Sequence, residues 1–391
     1  MSFNFIREQL AQQKSDNLDR NRVVLSHSTG RLLSFDGIEY INFSSNDYLG
    51  LADHSDIKTA YIKGIEKYGT SACSSSLITG YTKAHKQLEE NLAQWLNAER
   101  CLLFASGFSA NCGVLHTLGA QASVGFYLDK LSHASLIDGA FNSKAKSKRF
   151  RHNDVTHLDK LLTTSSTDSN LVVTEGVYSM DGDCAPLTQI KATCDANDSW
   201  LYIDDAHGIG VLGSDGSGTA SEQNLNTDSN VIQMATFGKA IATNGAVVAG
   251  NEELIEYFIN RNREYIYTTA ISPALALATN ASVEICKTEH WRREKIQKLT
   301  ALFKSKLDSS IEVTPTESSI IGVIVGSEIN TLYCAQKLKD LGFWLTAIRP
   351  PTVENGKSRL RVTITASHND NDISMLAESI NEVIGKCLQN N

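Results

Sequence analysis

No stretch of 18 or more apolar residues occurs in this chain of 391 residues, so no segment reads as a simple membrane-spanning helix. Proline is scarce, with five in the whole chain, and no proline- or glycine/serine-rich stretch marks a linker or low-complexity tail. The eight cysteines include no Cys-x-x-Cys pair and no His/Cys cluster with zinc spacing, which favours free, mostly buried thiols over disulfides or a structural metal. An excess of positive charge is missing as well. With 36 Lys and Arg against 44 Asp and Glu the net charge is -8, which argues against a nucleic-acid-binding protein. The first twenty residues mix charges early and lack an apolar h-region, so no secretory signal is expected and the cytoplasm is the expected compartment. One local basic run, Lys144-Ala-Lys-Ser-Lys-Arg-Phe-Arg151, reads either as a solvated helix end or as a patch for an acidic ligand.

What is present is globular. Hydrophobic residues make up 41% and charged residues 20%, near the averages for soluble domains, and the length suggests two or three domains. Short apolar runs recur with helix-like segments between them: Leu102–Ala105, Val124–Leu128, Leu171–Thr174, Trp200–Ile203, Val231–Thr236 and Ala246–Ala249. Such runs predict a buried, largely parallel sheet. Several end in polar or glycine clusters, at Ser106-Gly107, Asp129, Glu175-Gly176, Asp204-Asp205 and Gly238-Lys239. Ligands of an open α/β sheet gather at the carboxyl ends of its strands, so the chemistry is expected there. Beyond about residue 275 a long charged helical stretch precedes the alternating segment Arg359–Thr365, which predicts a smaller α+β domain with Arg359, Arg361 and Thr363 on one strand face.

Lys239 follows an apolar strand and precedes another apolar run. A desolvated lysine loses proton affinity and becomes able to form a Schiff base with an aldehyde; taken alone, it is equally a surface residue in a turn. The segment from Trp200 delivers Asp204 at a strand end and His207 three residues later. A carboxylate so placed can pair with the nitrogen of a pyridinium ring, although a capping Asp and a structural His give the same pattern. As a metal pair they lack further ligands, and no metal is expected. Ser106-Gly-Phe-Ser-Ala-Asn111 opens a helix after a strand, offering free N–H groups to a phosphate, with the Thr236 hydroxyl as a further donor. His133, after another strand, either stacks on a ring or is a core histidine. Gly208-Ile-Gly210-Val-Leu-Gly213 fits the dinucleotide fingerprint by letter, but no helix or ribose-binding acid follows, so a nicotinamide cofactor is not expected.

Together these segments resemble the α-oxoamine synthases, a branch of the fold-type-I enzymes that use pyridoxal 5'-phosphate (PLP), over nearly the entire chain. The resemblance is carried by Asn42-Phe-Ser-Ser-Asn46-Asp-Tyr48, Ser106–Asn111, Leu131-Ser-His133-Ala-Ser, Thr174-Glu175-Gly-Val-Tyr-Ser179, Asp204-Asp-Ala-His207 and Thr236-Phe-Gly-Lys239, in family order. It implies an α/β, aspartate-aminotransferase-like fold: an N-terminal segment (1–45), a large PLP-binding domain with a mostly parallel central sheet (46–275) and a smaller α+β C-terminal domain (276–391). It implies a homodimer with active sites at the subunit interface, and Tyr265-Ile-Tyr-Thr-Thr269 resembles the segment reaching the partner's cofactor phosphate. PLP would be borne by Lys239, with Gly107, Phe108 and Thr236 at its phosphate, His133 over the ring, Ser179 and His207 near the ring hydroxyl and Asp204 at the ring nitrogen. Arg361 would take the amino-acid carboxylate, while Arg20 and Thr352 match acyl-substrate contacts.

The segment Thr346-Ala-Ile-Arg-Pro-Pro-Thr352-Val, followed by Arg359–Thr365, is similar to the branch that joins L-alanine to a pimeloyl thioester, carried on CoA or an acyl carrier protein. A branch using glycine and acetyl-CoA is the alternative, and a non-catalytic relative the remote one. Two departures stand out: Gly69-Thr-Ser-Ala-Cys-Ser-Ser-Ser76 replaces a glycine-rich run, and Glu354 replaces a proline.

Overall fold

Continuous apolar runs such as Leu171–Val173 have both faces covered, and this is what a central sheet flanked by helices requires. In the computed structural model, which describes residues 3–15, 19, 22–225 and 229–389, seven strands form that sheet. Their spatial order is Arg100–Phe104, Ala246–Gly250, Val231–Thr236, Ser199–Asp204, Ser169–Glu175, Val124–Asp129 and Lys146–Phe150. The last five run parallel, whereas Ala246–Gly250 is antiparallel to both its neighbours. Each expected strand is present, and their carboxyl ends carry Asp129, Glu175, Asp204 and Thr236.

The basic run at 144–151 is not a helix end: Lys146–Phe150 is the edge strand of the sheet. Its first four residues are exposed and only Phe150 is buried. No apolar period marks such a strand, and its lysines and arginine guard an edge that would otherwise recruit other chains.

One face of the sheet packs Leu88, Leu92, Phe237, Ile241 and Val247; the other packs Val114, Phe126, Tyr202, Ile232 and Phe258. Helix Ser55–Tyr68 lies hard against helix Pro273–Thr288, and Gly64 permits the approach. A Cβ there would sit 2.6 Å from the Cα of Ala274. Residue 275, the expected domain division, lies inside this second helix. The smaller unit holds the antiparallel sheet Ile320–Gly326, Ser358–Thr363 and Thr346–Ile348 under helices Trp291–Lys306, Glu328–Asp340 and Asp370–Gln389. Phe43 enters its core beside Phe303, Leu338, Val362 and Ile380, and strand Ile38–Asn42 pairs in parallel with Phe343–Trp344. The N-terminal segment is thereby fastened to the C-terminal unit, a link reinforced by the Arg31–Asp372 ion pair at 2.8 Å.

All eight cysteines are free. No helix among the described residues is long and apolar enough to cross a membrane. Between the two units runs the segment 176–184, held from both sides. Gly176 N–H donates to Asp204 O at 2.8 Å, while Thr314 and Thr316 of the smaller unit donate their hydroxyls to Asp181 O and Gly182 O at 2.8 and 2.6 Å.

Candidate active site

At the carboxyl ends of the parallel strands lies a cavity of about 200 Å³ lined by Gly107, Phe108, His133, Asp204, His207, Thr236 and Lys239. These are seven of the residues expected to act together, and Asn111, Ser135 and Glu175 join them.

Ser106 caps helix Gly107–Leu118: its Oγ accepts from Ser109 N–H at 3.1 Å, and the Ser109 hydroxyl bonds back to the Ser106 carbonyl. This settles the third N–H of the helix and leaves those of Gly107 and Phe108, at the cavity, without an intrahelical acceptor. A helix start of this kind holds a phosphate through backbone N–H groups. Thr236 stands opposite, its Cβ 3.5 Å from where a Cβ on Gly107 would be. Its hydroxyl proton goes to Gly245 O at 3.1 Å, so it must rotate to donate to a phosphate.

Asp204 ends the central strand and is buried. Its Oδ1 accepts from Ala206 N–H at 3.1 Å and its Oδ2 from Asn111 Nδ2 at 2.7 Å. The orientation of the Asn111 amide follows from its neighbours: Oδ1 accepts from Tyr202 OH at 2.6 Å, so Nδ2 faces Asp204 and also reaches Ser135 Oγ at 2.8 Å. Because Ser135 Oγ receives that bond, its own proton is free for His133 Nδ1 at 2.7 Å, which also accepts from Ser135 N–H at 3.2 Å. Nδ1 of His133 is therefore an acceptor, and a neutral ring carries its proton on Nε2. Sequence reasoning took in Asn111 and Ser135 only as members of motifs; the signal was there in their spacing to His133 and the strand ends.

The Lys239 amine lies 2.7 Å from His207 Nε2, and His207 Nδ1 lies 2.6 Å from Tyr48 OH. Burial, then the charges of Lys239, Arg361 and His133, push His207 well below its ordinary value, so the ring is neutral. A Lys239 N–H donated to Nε2 leaves the proton on Nδ1 for the Tyr48 oxygen, and Tyr48 OH donates onward to Asn46 Oδ1 at 3.3 Å. Burial lowers Lys239 from 10.5 to about 8, against the opposing charges of Asp204 and Glu175. The Glu175 carboxyl is pushed well up, first by burial and then by Asp204, and its Oε1 accepts His133 N–H at 2.6 Å.

Arg361, on strand Ser358–Thr363, donates from Nε to Ser179 O at 2.8 Å, from Nη1 to Thr363 Oγ1 at 3.0 Å and from Nη2 to Asn46 Oδ1 at 3.2 Å. A guanidinium has five N–H donors; these bonds use three, and the group also acts on the Tyr48 hydroxyl by a hydrogen bond and by its charge, so the terminal N–H groups that a carboxylate takes side by side are shared with Tyr48. Ser179 and Thr352 line a neighbouring cavity of about 380 Å³ together with His152, Arg359 and Glu354, and Ser179 contributes its carbonyl to Arg361. Arg20 lies outside the described residues.

Gly208, Gly210 and Gly213 sit in turns, not at a helix start. Cβ atoms at Gly208 and Gly218 would fall 2.1 and 1.9 Å from the Asp205 carboxylate, which binds Thr219 N–H and Oγ1. Of the fingerprint glycines Gly208 thus packs on Asp205, while Gly210 and Gly213 pack on Ala240 and Ser221. In the 69–76 segment, Cys73 adopts a left-handed φ of 55°, a conformation that costs a non-glycine residue about 1–2 kcal/mol; Ser75 bridges to Thr269. Glu354 pairs with Lys130 at 3.5 Å.

The donor set fits PLP: an amine for an aldehyde, a buried carboxylate for a ring nitrogen and helix-start N–H groups for a phosphate. Comparison with known proteins agrees. The family model "Aminotransferase class I and II" matches residues 38–380. An 8-amino-7-oxononanoate synthase from Saccharophagus degradans is 42% identical over 382 residues, 97% of this chain and 96% of that one. The structure of a serine palmitoyltransferase variant from S. paucimobilis with bound PLP and myriocin superposes with a TM-score of 0.90 at 26% identity, covering 100% of this chain and 98% of the other. That of 8-amino-7-oxononanoate synthase from Francisella tularensis gives 0.76 at 27% identity, over 89% of this chain and 99% of the other. The chain belongs to the class I and II aminotransferase family and, within it, to the 8-amino-7-oxononanoate synthase group.

Proposed function

We propose that this chain uses PLP to condense L-alanine with a pimeloyl thioester, releasing 8-amino-7-oxononanoate, CO2 and the free thiol, in biotin biosynthesis. The observation that carries this reading is the convergence of Lys239, Asp204 and His207 on one cavity, with Arg361 joined to it through Asn46 and Tyr48, in a chain 42% identical to a named synthase.

Lys239 would bear the cofactor, Asp204 would hold its ring nitrogen, His207 its ring hydroxyl, His133 its face, and Gly107, Phe108 and Thr236 its phosphate. Bound there, PLP supplies an electron sink for negative charge at the amino-acid α-carbon. Arg361 fixes the alanine carboxylate through its terminal N–H groups. The Lys239 amine, already lowered to about 8, takes the Cα proton as general base. Asp204, held by Asn111 and Ala206 N–H, keeps its charge directed at the ring nitrogen. His133 presents Nε2–H to the bound substrate. Condensation joins the alanine α-carbon to the acyl carbonyl carbon and expels the thiol; loss of CO2 then gives the amino-ketone.

The working unit is a homodimer with interfacial sites, a reading supported by exposed Ile78, Phe108 and Tyr267. The acyl carrier is CoA or a carrier protein, Thr352 and Arg20 contact the acyl substrate, and the compartment is the cytoplasm. The deciding experiment measures thiol release by the PLP-loaded protein with alanine or glycine crossed against pimeloyl-CoA or acetyl-CoA. Release confined to alanine with pimeloyl-CoA is the expected result; preference for glycine and acetyl-CoA would transfer the chain to the ligase branch.

A further inference from the structure

We infer that His152 is a positioning residue: an imidazolium clasped between Asp129 and Asp183 that fixes, relative to each other, the turn carrying His133 and the segment carrying Ser179. The geometry demands two donors on one ring. Nδ1 lies 2.8 Å from Asp129 Oδ1 and Nε2 lies 2.7 Å from Asp183 Oδ2. Ionised carboxylates only accept, and a neutral imidazole donates from one nitrogen alone, so a neutral His152 would set a lone pair against a carboxylate; the Asn153 amide, 3.3 Å from Nε2, makes its shorter bond to Asp183 Oδ2 at 2.8 Å.

Each carboxylate organises a different stretch of the site. Asp129 is fully buried at the end of strand Val124–Asp129. Besides His152 it accepts Leu131 N–H at 2.8 Å and Asn153 N–H at 2.9 Å, shaping the turn that enters His133. Asp183 closes the loop from Tyr178, whose N–H donates to Asp183 O at 2.9 Å, and between them lies Ser179, whose carbonyl aims Arg361. Both side-chain bonds of Asp183, from His152 and from Asn153 Nδ2 at 2.8 Å, fall on Oδ2, and its buried Oδ1 has no partner among the described residues. Asp183 therefore depends heavily on the His152 charge. The Tyr178 ring closes the clasp edge-on, 4.5 Å away at 89°.

The groups around the ring support the charged form. Burial alone would lower the His152 pKa, but the hydrogen bonds and charges of Asp129 and Asp183 outweigh it and raise it to about 9. Lys130, Asp181 and Arg359 line the same cavity, and Arg359 is paired with Asp181. Among the described residues His152 forms no hydrogen bond or ion pair with those assigned to cofactor or alanine, so its effect on the reaction passes through His133 and Arg361 and rests on the proposed roles of those two.

The test combines ring-nitrogen NMR of the histidine-labelled holoenzyme with alanine titration of the bound-cofactor absorption band. Both His152 nitrogens should be protonated at neutral pH, the signal being assigned by its loss in His152→Leu. Asp183→Asn should shift the His152 titration midpoint down by roughly one pH unit or more. His152→Leu should retain cofactor at one per chain yet bind alanine roughly tenfold or more weakly. A neutral His152 at neutral pH, or a His152→Leu protein with the parent's alanine affinity and kcat, would overturn the inference. Should that variant fail to fold, the nitrogen signals of the parent and of Asp183→Asn still decide. A parent band that ignores alanine altogether would count against the proposed function and leave the nitrogen result standing on its own.

Discussion

Nζ of Lys239 stands 2.7 Å from Nε2 of His207, so two nitrogen bases share one desolvated spot and neither is easily charged. Lys239 at about 8 is largely the free amine only above that pH, and the rate at which cofactor-free protein captures PLP should climb as pH rises through about 8 and level off beyond it. A midpoint at 10 or higher would show that burial does not depress the amine. Lys239→Ala should cut thiol release by roughly a thousandfold or more, since both the nucleophile and the base are removed.

Arg361 is held by Ser179, Thr363 and Asn46. Arg361→Lys preserves charge but loses the planar fork. The KM for alanine should rise by roughly tenfold to a hundredfold, with the cofactor band unchanged. A KM within twofold of the parent means the carboxylate binds elsewhere.

Asn111 joins Asp204 to Ser135 and Tyr202. Asn111→Leu should leave a buried carboxylate short of one donor and the Tyr202 hydroxyl without its acceptor, losing about 1–3 kcal/mol for each group stranded. Faster loss of PLP on dilution and a kcat lowered by roughly tenfold to a hundredfold should follow. Asn111→Asp should be worse, because it sets a second carboxylate beside Asp204.

The sheet was legible wherever burial imposed an apolar run, and the site was legible because strand ends and helix starts are where chemistry-bearing residues collect. Three things were not. Lys146–Phe150 carries no apolar period, because an edge strand with four exposed residues has nothing to bury. The reversal of Ala246–Gly250 leaves no local trace, since an apolar strand reads the same in either direction. Tyr48 and Asn46 lie far in sequence from the His207 and Arg361 they hold, and only the folded chain reveals such partners.

His368 is buried and stacks on Phe43 at 4.3 Å. Nδ1 accepts Thr365 N–H at 3.0 Å and Nε2 donates to Asn42 O at 3.1 Å. This is a neutral ring, and burial lowers its pKa from 6.5 to about 4. Between those two pH values the unfolded chain binds the proton and the folded chain does not, so stability falls as pH drops from 6.5 toward 4. The full effect is about 3 kcal/mol. Denaturant unfolding of His368→Gln should show a shallower loss across that interval; an acid limb identical to the parent's would place the sensitivity in another group.

The segment 176–184 is rooted in the large unit by Val177 and Tyr178 and reaches across to the smaller one. It hangs by Gly176 from the backbone of Asp204, by Asp181 and Gly182 from two threonines of the smaller unit, and by Ser179 from Arg361. A tilt of the smaller unit cannot leave this strap slack: it draws on the backbone behind the Asp204 carboxylate at the same moment that it re-aims the guanidinium. The aim of the Arg361 guanidinium and the placement of the Asp204 carboxylate are geared to one another by a single short length of main chain.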